Sequence, residues 1–153
     1  MKHLLFAICM LISFFNYSQT DQQNISLKNR HCISFGLLHG GGSLLGADVE
    51  FLFSERFSFQ LGAGLVGYGC GLNYHRKPSI RSSFLSLQYW NQGIDNSFTQ
   101  NLIGLNYVYR GKKWFTGQLG LGKTIKKGPL WPDNIEFQKI VLMYSLGVYI
   151  PYK

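Results

Sequence analysis

The chain has 153 residues, with 15 basic against 7 acidic side chains and a formal net charge of +8. Only 14% of residues are charged, 16% are aromatic and 18 are glycine. The aromatic content excludes a disordered chain. A helical bundle would be richer in Ala, Glu, Lys and Leu, and a nucleic-acid binder would spend more of its surface on charge. The length suits one domain.

Residues 1–19 read as a secretory signal peptide. Lys2 and His3 form a short basic start, and Leu4 to Phe15 is an apolar run too short to span a bilayer as a helix. Ser18-Gln19 supplies small and polar residues for cleavage. Cys9 lacks the small preceding residue that lipid attachment needs. Processing removes Lys2, leaving 14 basic against 7 acidic side chains, a net +7 on residues 20–153. Export permits a Cys32–Cys70 disulfide, but two cysteines do not make a framework, and two thiols are the alternative.

From residue 32 onward apolar residues recur at every second position, the mark of a strand with two different faces. Ile33, Phe35 and Leu37 alternate with Ser34 and Gly36 in Cys32–Leu38. Ala47, Val49, Phe51 and Phe53 alternate with Asp48 and Glu50 in Leu45–Phe53. Phe57, Phe59, Leu61, Ala63 and Leu65 alternate with Ser58, Gln60, Gly62 and Gly64 in Phe57–Leu65. Ser83–Trp90, Thr99–Tyr109, Trp114–Lys123 and Gln138–Ile150 repeat the pattern, giving seven clear runs. Gly-, Pro-, Asn- and Ser-rich segments separate them, among them His39–Ser43, Ser54–Arg56, Arg76–Ser79, Asn91–Asn96, Arg110–Lys112 and 126–134. No helical pattern of useful length occurs. The reading is an all-β antiparallel meander.

Phe57–Tyr74 is too long for one spanning strand. A break at Gly67-Tyr68-Gly69 yields an eighth, short strand at Cys70–His75 and the even count that bacterial barrels need. The alternative is one long strand bent at its glycines. With the break, the turns at Ser54–Arg56 and Arg110–Lys112 share a side with both termini, and the longest loop, Thr124–Glu136, lies opposite.

The interposed face is Ser, Thr, Gln, Asn and Gly with few charges, whereas the other is bulky and apolar. A narrow barrel interior packs small polar groups, and lipid accepts bulky apolar ones. Tyr89, Trp90, Tyr107, Tyr109, Trp114 and Tyr149 lie near strand ends, as interfacial aromatics do. Asp48 and Glu50 must then point inward, because a charge on a lipid-facing wall is costly. Inward charges need partners. Lys139 and Arg110 fall on inward registers, so the expectation is an interior network of Asp48, Glu50, Arg110 and Lys139 with Gln60, Gln88 and Gln118. A secreted soluble barrel that carries a hydrophobic ligand is the competing reading.

The alternation of Tyr144, Leu146, Val148, Ile150 and Tyr152 resembles the terminal-strand signal of the small eight-stranded outer-membrane β-barrel proteins of Gram-negative bacteria. That family usually ends on the aromatic itself. Here Lys153 follows Tyr152, and Pro151 interrupts the ladder. The resemblance covers nearly all of residues 20–153 and rests on pattern. It implies an antiparallel up-and-down transmembrane β-barrel of about eight strands in the outer membrane. It also implies delivery by the barrel-assembly machinery, and an interior too narrow for an open pore.

Some barrels of this size modify lipids. The candidate here is His75, near Ser79, Ser82 and Ser83, but the spacing is not the H-x-S of lipid A deacylase barrels. His39 precedes a glycine triplet and reads as a loop residue. No His, Cys, Asp and Glu grouping has metal-site spacing, and no helix follows Gly62–Gly71 to make a phosphate loop. No catalytic, cofactor or metal residues are assigned. Arg76, Lys77 and Arg81, and separately Lys123, Lys126 and Lys127, suit contacts to lipid phosphates, including those of lipopolysaccharide. Trp131 and Pro132 offer an apolar protein contact in the long loop. The expected role is a non-enzymatic one in envelope structure, maintenance or surface interaction.

Overall fold

The computed structural model describes residues 29–94, 98–129 and 139–152. The signal segment 1–19, Trp131 and Pro132 lie outside them. Eight strands follow one another up and down: β1 (His31–Leu37), β2 (Leu45–Leu52), β3 (Phe57–Gly64), β4 (Gly67–His75), β5 (Phe84–Ile94), β6 (Phe98–Arg110), β7 (Phe115–Lys127) and β8 (Ile140–Tyr152). Each pairs antiparallel with its sequence neighbours, and β1 pairs with β8 from His31↔Tyr152 to Leu37↔Leu146. The sheet is a closed barrel. Closure leaves no unpaired sheet edge.

The end at which β1 begins and β8 finishes is the lower rim. It carries the short β2–β3 and β6–β7 turns and the β4–β5 loop. Strand β7 ends and β8 begins at the opposite, upper rim, the side to which the sequence assigns the longest connection.

Several boundaries move from the sequence reading, each for a physical reason. The break after β3 falls at Leu65-Val66, so Gly67–Gly69 belong to a nine-residue β4. Strand β5 continues through Asn91–Ile94, which resembles a turn in composition. Asn91 there donates to Asn101 Oδ1 across the ladder at 2.6 Å. Strand β7 runs on to Lys127 past a register shift at Asn101/Leu102, and the resulting bulge hides the last residues from a period-two count.

The two faces are as expected in kind. Outward positions carry Ile33, Phe35, Leu61, Leu72, Leu87, Leu105 and Leu119, all exposed. Inward positions carry Ser34, Asp48, Glu50, Ser58, Asn73, Ser86, Gln88, Asn106, Thr116 and Gln118, all buried. Tyr107 and Tyr109 face outward near the lower rim, Trp114 is exposed in the β6–β7 turn, and Tyr89 is half-buried. Trp90 and Tyr149 are corrections to the aromatic assignment. They fall on the inward register and are 7% and 1% exposed. Cys32 is buried inward and Cys70 is half-buried, and both are free thiols.

Both mouths are filled by chain. At the upper rim the β1–β2 connection forms one short helical turn, α1 (His39–Gly42), which folds into the barrel. Gly40, Gly41 and Gly42 all take positive φ, where a side chain is strained. A Cβ on Gly40 or Gly41 would also strike the backbone of Ala63 or Tyr68. The wall answers with glycines of its own: Gly62 and Gly69 lie against Gly40 and Gly41, and Gly46 against the His39 carbonyl. At the lower rim, Ile80 from the β4–β5 loop packs with Cys32, Leu52 and Tyr149.

Gly41→Ala should therefore destabilise the barrel by about 2 kcal/mol, from positive φ and overpacking together. Gly117→Ala, whose added methyl meets movable side chains of Leu146 and Phe115, should be near neutral. Denaturant midpoints followed by circular dichroism check the difference.

Candidate functional site

The most highly organised chemistry lies inside the wall, and it divides into two charged centres. The lower one is built on Glu50, which the alternation of β2 turns inward. Its Oε1 accepts from Ser58 Oγ at 2.5 Å, Asn73 Nδ2 at 3.1 Å and His75 Nε2 at 2.9 Å. Its Oε2 accepts from an Arg110 terminal nitrogen at 2.5 Å. The other terminal nitrogen of Arg110 donates to the carbonyl of Ile80, tying the rim loop to the network. The guanidinium lies between the rings of Phe84 and Tyr149, each 4.9 Å from its centroid. Tyr149 in turn donates to the Gly111 carbonyl at 2.5 Å.

Both oxygens of this carboxylate face donors, which is the condition under which a buried charge persists. Asn73 also donates to Gln60 Oε1 at 3.3 Å and accepts from Ser86 Oγ at 2.5 Å. The polar chain therefore crosses from β2 through β3 and β4 to β5.

The upper centre is Asp48. Its Oδ2 meets His39 Nδ1 at 2.6 Å and accepts from the Gly40 amide at 3.3 Å. This pair holds α1 inside the barrel. Between the two centres, Gln88 and Gln118 exchange amide hydrogen bonds at 3.1 and 2.9 Å, and Asn106 donates to Gln88 Oε1 at 3.2 Å.

The expected network thus separates into parts. Glu50 and Arg110 pair directly, Gln60 joins them through Asn73, and Gln88 pairs with Gln118. Asp48 serves the turn instead. Lys139 is the correction: it keeps the inward parity of β8 but precedes its first residue, Ile140, and is exposed at the upper rim. There its carbonyl accepts from the Thr124 amide at 3.1 Å.

Four side-chain partners of the two carboxylates lie outside the expected network: His39, Ser58, Asn73 and His75. Ser58 has the inward parity of β3, which alone assigns it no role. Asn73 and His75 share the inward parity of β4. His39 carried no such signal, because its position depends on a loop that re-enters the barrel.

Ser58, His75 and Glu50 share the composition of a hydrolytic triad without its geometry. Ser58 Oγ lies 3.0 Å from His75 Nε2, the same nitrogen that meets Glu50, and Nδ1 faces the Ser82 carbonyl at 3.3 Å. A triad divides acid and nucleophile between the two ring nitrogens. Ser58 and His75 are also fully buried. Ser82, near His75 in sequence, donates to the carbonyl of Ser83 and accepts from the Lys77 amide. Among the described residues no group of three His, Cys, Asp or Glu side chains is placed to hold a metal ion.

The basic clusters take opposite ends. Arg76, Lys77 and Arg81 stand on the β4–β5 loop at the lower rim, and Lys123, Lys126 and Lys127 on β7 at the upper rim. All six are exposed. Comparison with protein-family models, curated proteins and solved structures returns no match.

Removing one partner of the lower centre should be costly. Glu50→Gln or Arg110→Met alone should lose about 3–5 kcal/mol, because each strands a buried group. The double variant should lose less than the sum by at least about 1 kcal/mol. A double-mutant cycle on denaturant unfolding measures this coupling, and strict additivity would refute it.

Proposed function

We propose that this chain is an outer-membrane β-barrel with a non-enzymatic role in envelope structure, maintenance or surface interaction, and without an open pore. One observation carries the reading. Among the described residues, thirty large hydrophobic side chains are exposed on the barrel's surface and nine hydrophobic residues are buried. A soluble barrel has that ratio reversed, and soluble monomers rarely leave apolar patches beyond a few hundred Å² open to water. An apolar wall around a polar, filled interior suits a lipid surrounding.

The carboxylates agree. The described residues include three: Asp48 and Glu50 are buried inside, and Glu55 is exposed in the β2–β3 turn. None meets the outer wall between the rims. The outward run Ile103–Tyr109 of β6 ends at Asn101 on one side and Gly111 on the other. That span is close to the 9–11 residues of a tilted spanning strand.

Sealing at both mouths supports the absence of a pore. The filled interior also speaks against the soluble carrier, which needs an enclosed apolar cavity. Burial of His75 and the shared use of its Nε2 speak against the lipid hydrolase. The reading makes outer-membrane lipid the direct surrounding, with lipopolysaccharide and the barrel-assembly machinery as the expected partners. Arg76, Lys77 and Arg81, and Lys126 and Lys127 at the other end, would lie at phosphate level.

Cell fractionation should recover the protein with outer membranes, extractable only with detergent. Unheated and boiled samples should migrate differently in detergent gels. Purified protein in planar bilayers should give no stable conductance steps. Recovery from the soluble periplasm would contradict the location, and reproducible single-channel steps would contradict the sealed barrel.

A further inference from the structure

The two rims are not equivalent in charge. At the lower rim a cation stands at every described connection. Arg30 precedes β1, and its carbonyl accepts from the Leu52 amide at 2.8 Å. Arg56 closes the β2–β3 turn beside His75, whose amide donates to the Arg56 carbonyl at 2.7 Å. Arg76, Lys77 and Arg81 occupy the β4–β5 loop, and Lys112 and Lys113 the β6–β7 turn. Against these the described residues of this rim offer a single carboxylate, Glu55. At the upper rim the described Lys and Arg residues are confined to β7 and to Lys139, just before β8, while α1 and Leu65-Val66 carry none.

Two contacts fix where the lower cations lie. An Arg56 terminal nitrogen donates to the hydroxyl of Tyr74 at 3.4 Å, and Tyr74 is an outward residue. The guanidinium is therefore on the outer wall and not over the mouth. Tyr74 packs at a tilt against Phe57 with centroids 5.2 Å apart, and Phe57 stacks with Phe53 at 6.4 Å. On the other side, Arg81 donates to the Lys113 carbonyl at 3.5 Å, immediately above the exposed Trp114, Phe115 and Tyr109. Each cationic group thus surmounts an aromatic cluster on the outer wall. Aromatic rings settle at the headgroup level of a bilayer, and cations just above them meet phosphates.

We infer that the lower rim is a binding surface for anionic phospholipid headgroups, gripping the leaflet on that side from at least two points around the barrel. The inference rests on the membrane-spanning reading and adds to it which rim is selective and for which headgroup charge. A net positive ring attracts an anionic lipid over a zwitterionic one, and the arginines supply paired donors that suit phosphate.

The test is native mass spectrometry of the full barrel released from mixed micelles of phosphatidylglycerol and phosphatidylcholine. Wild type should retain phosphatidylglycerol about fivefold over phosphatidylcholine. A lower-rim variant (Arg56→Gln, Arg76→Gln, Lys77→Gln, Arg81→Gln and Lys113→Gln together) should lose the preference. An upper-rim variant (Lys123→Gln, Lys126→Gln and Lys139→Gln together) should keep it. Inorganic phosphate added at constant ionic strength should not displace the lipid.

Raising the salt on wild type should shrink the preference, since the screening length falls from about 10 Å at 0.1 M to about 3 Å at 1 M. That arm stands even if the lower-rim variant fails to fold. Preference unaffected by salt, retained in a folded lower-rim variant, lost in the upper-rim variant, or abolished by phosphate would each overturn the proposal. An inserted wild-type barrel with no headgroup preference refutes this inference alone. A chain that remains in water without detergent refutes the membrane reading as well.

Discussion

Closure of β1 onto β8 is the constraint on which the remaining structure depends. Once the last strand pairs with the first, backbone groups along the wall find partners within the sheet, from His31↔Tyr152 round to Gln100↔Lys127. No sheet edge needs water or a covering segment, which is the condition for a strand wall to stand in hydrocarbon. Closure also fixes the interior at a width that side chains must fill. A period-two sequence then divides cleanly, and every slip by one residue would exchange the two faces.

The filling of that interior explains much of the composition. Glycines at Gly46, Gly62 and Gly69 leave space for α1, and Gly104 and Gly122 leave space for Met143. The polar groups are used in complementary sets rather than scattered. Glu50 with Arg110 holds the lower part of the lumen together with the Ile80 loop, and Asp48 with His39 holds the upper turn. In this arrangement the two buried carboxylates act as latches on the two segments that fold into the mouths. Removing a latch exposes the interior to water and leaves a buried charge behind, so sealing and stability depend on the same residues.

The sequence disclosed the class of fold through alternation alone, because a wall with unlike faces prints its period in the chain. The inward assignment of Asp48, Glu50 and Arg110 followed from parity and the cost of a charge on the outer wall. What parity cannot supply is height along the barrel. Lys139 has the right parity but lies beyond the ladder, whereas residue type groups Trp90 and Tyr149 with the interfacial aromatics against their parity. Chain re-entry is likewise invisible to periodicity. His39-Gly40-Gly41-Gly42 reads as a loop and becomes the upper plug, and Ile80 lies within a polar turn yet closes the lower mouth. The bulge at Asn101/Leu102 resets the count and conceals the end of β7.

A sealed, latched barrel leaves its outer wall and rims as the surfaces that meet other molecules. The central claim is therefore that the exposed apolar face is the one in contact with lipid. Single-tryptophan variants of the reconstituted barrel test it directly, because Trp114 is 57% exposed in the lower-rim turn with its ring against the outward Phe115, and Trp90 is 7% exposed inside. In bilayers of phospholipid brominated near the top of the acyl chains, fluorescence from the Trp114 variant should be strongly quenched and that from the Trp90 variant nearly unchanged. Equal quenching of the two, or quenching of Trp90 alone, would contradict the account.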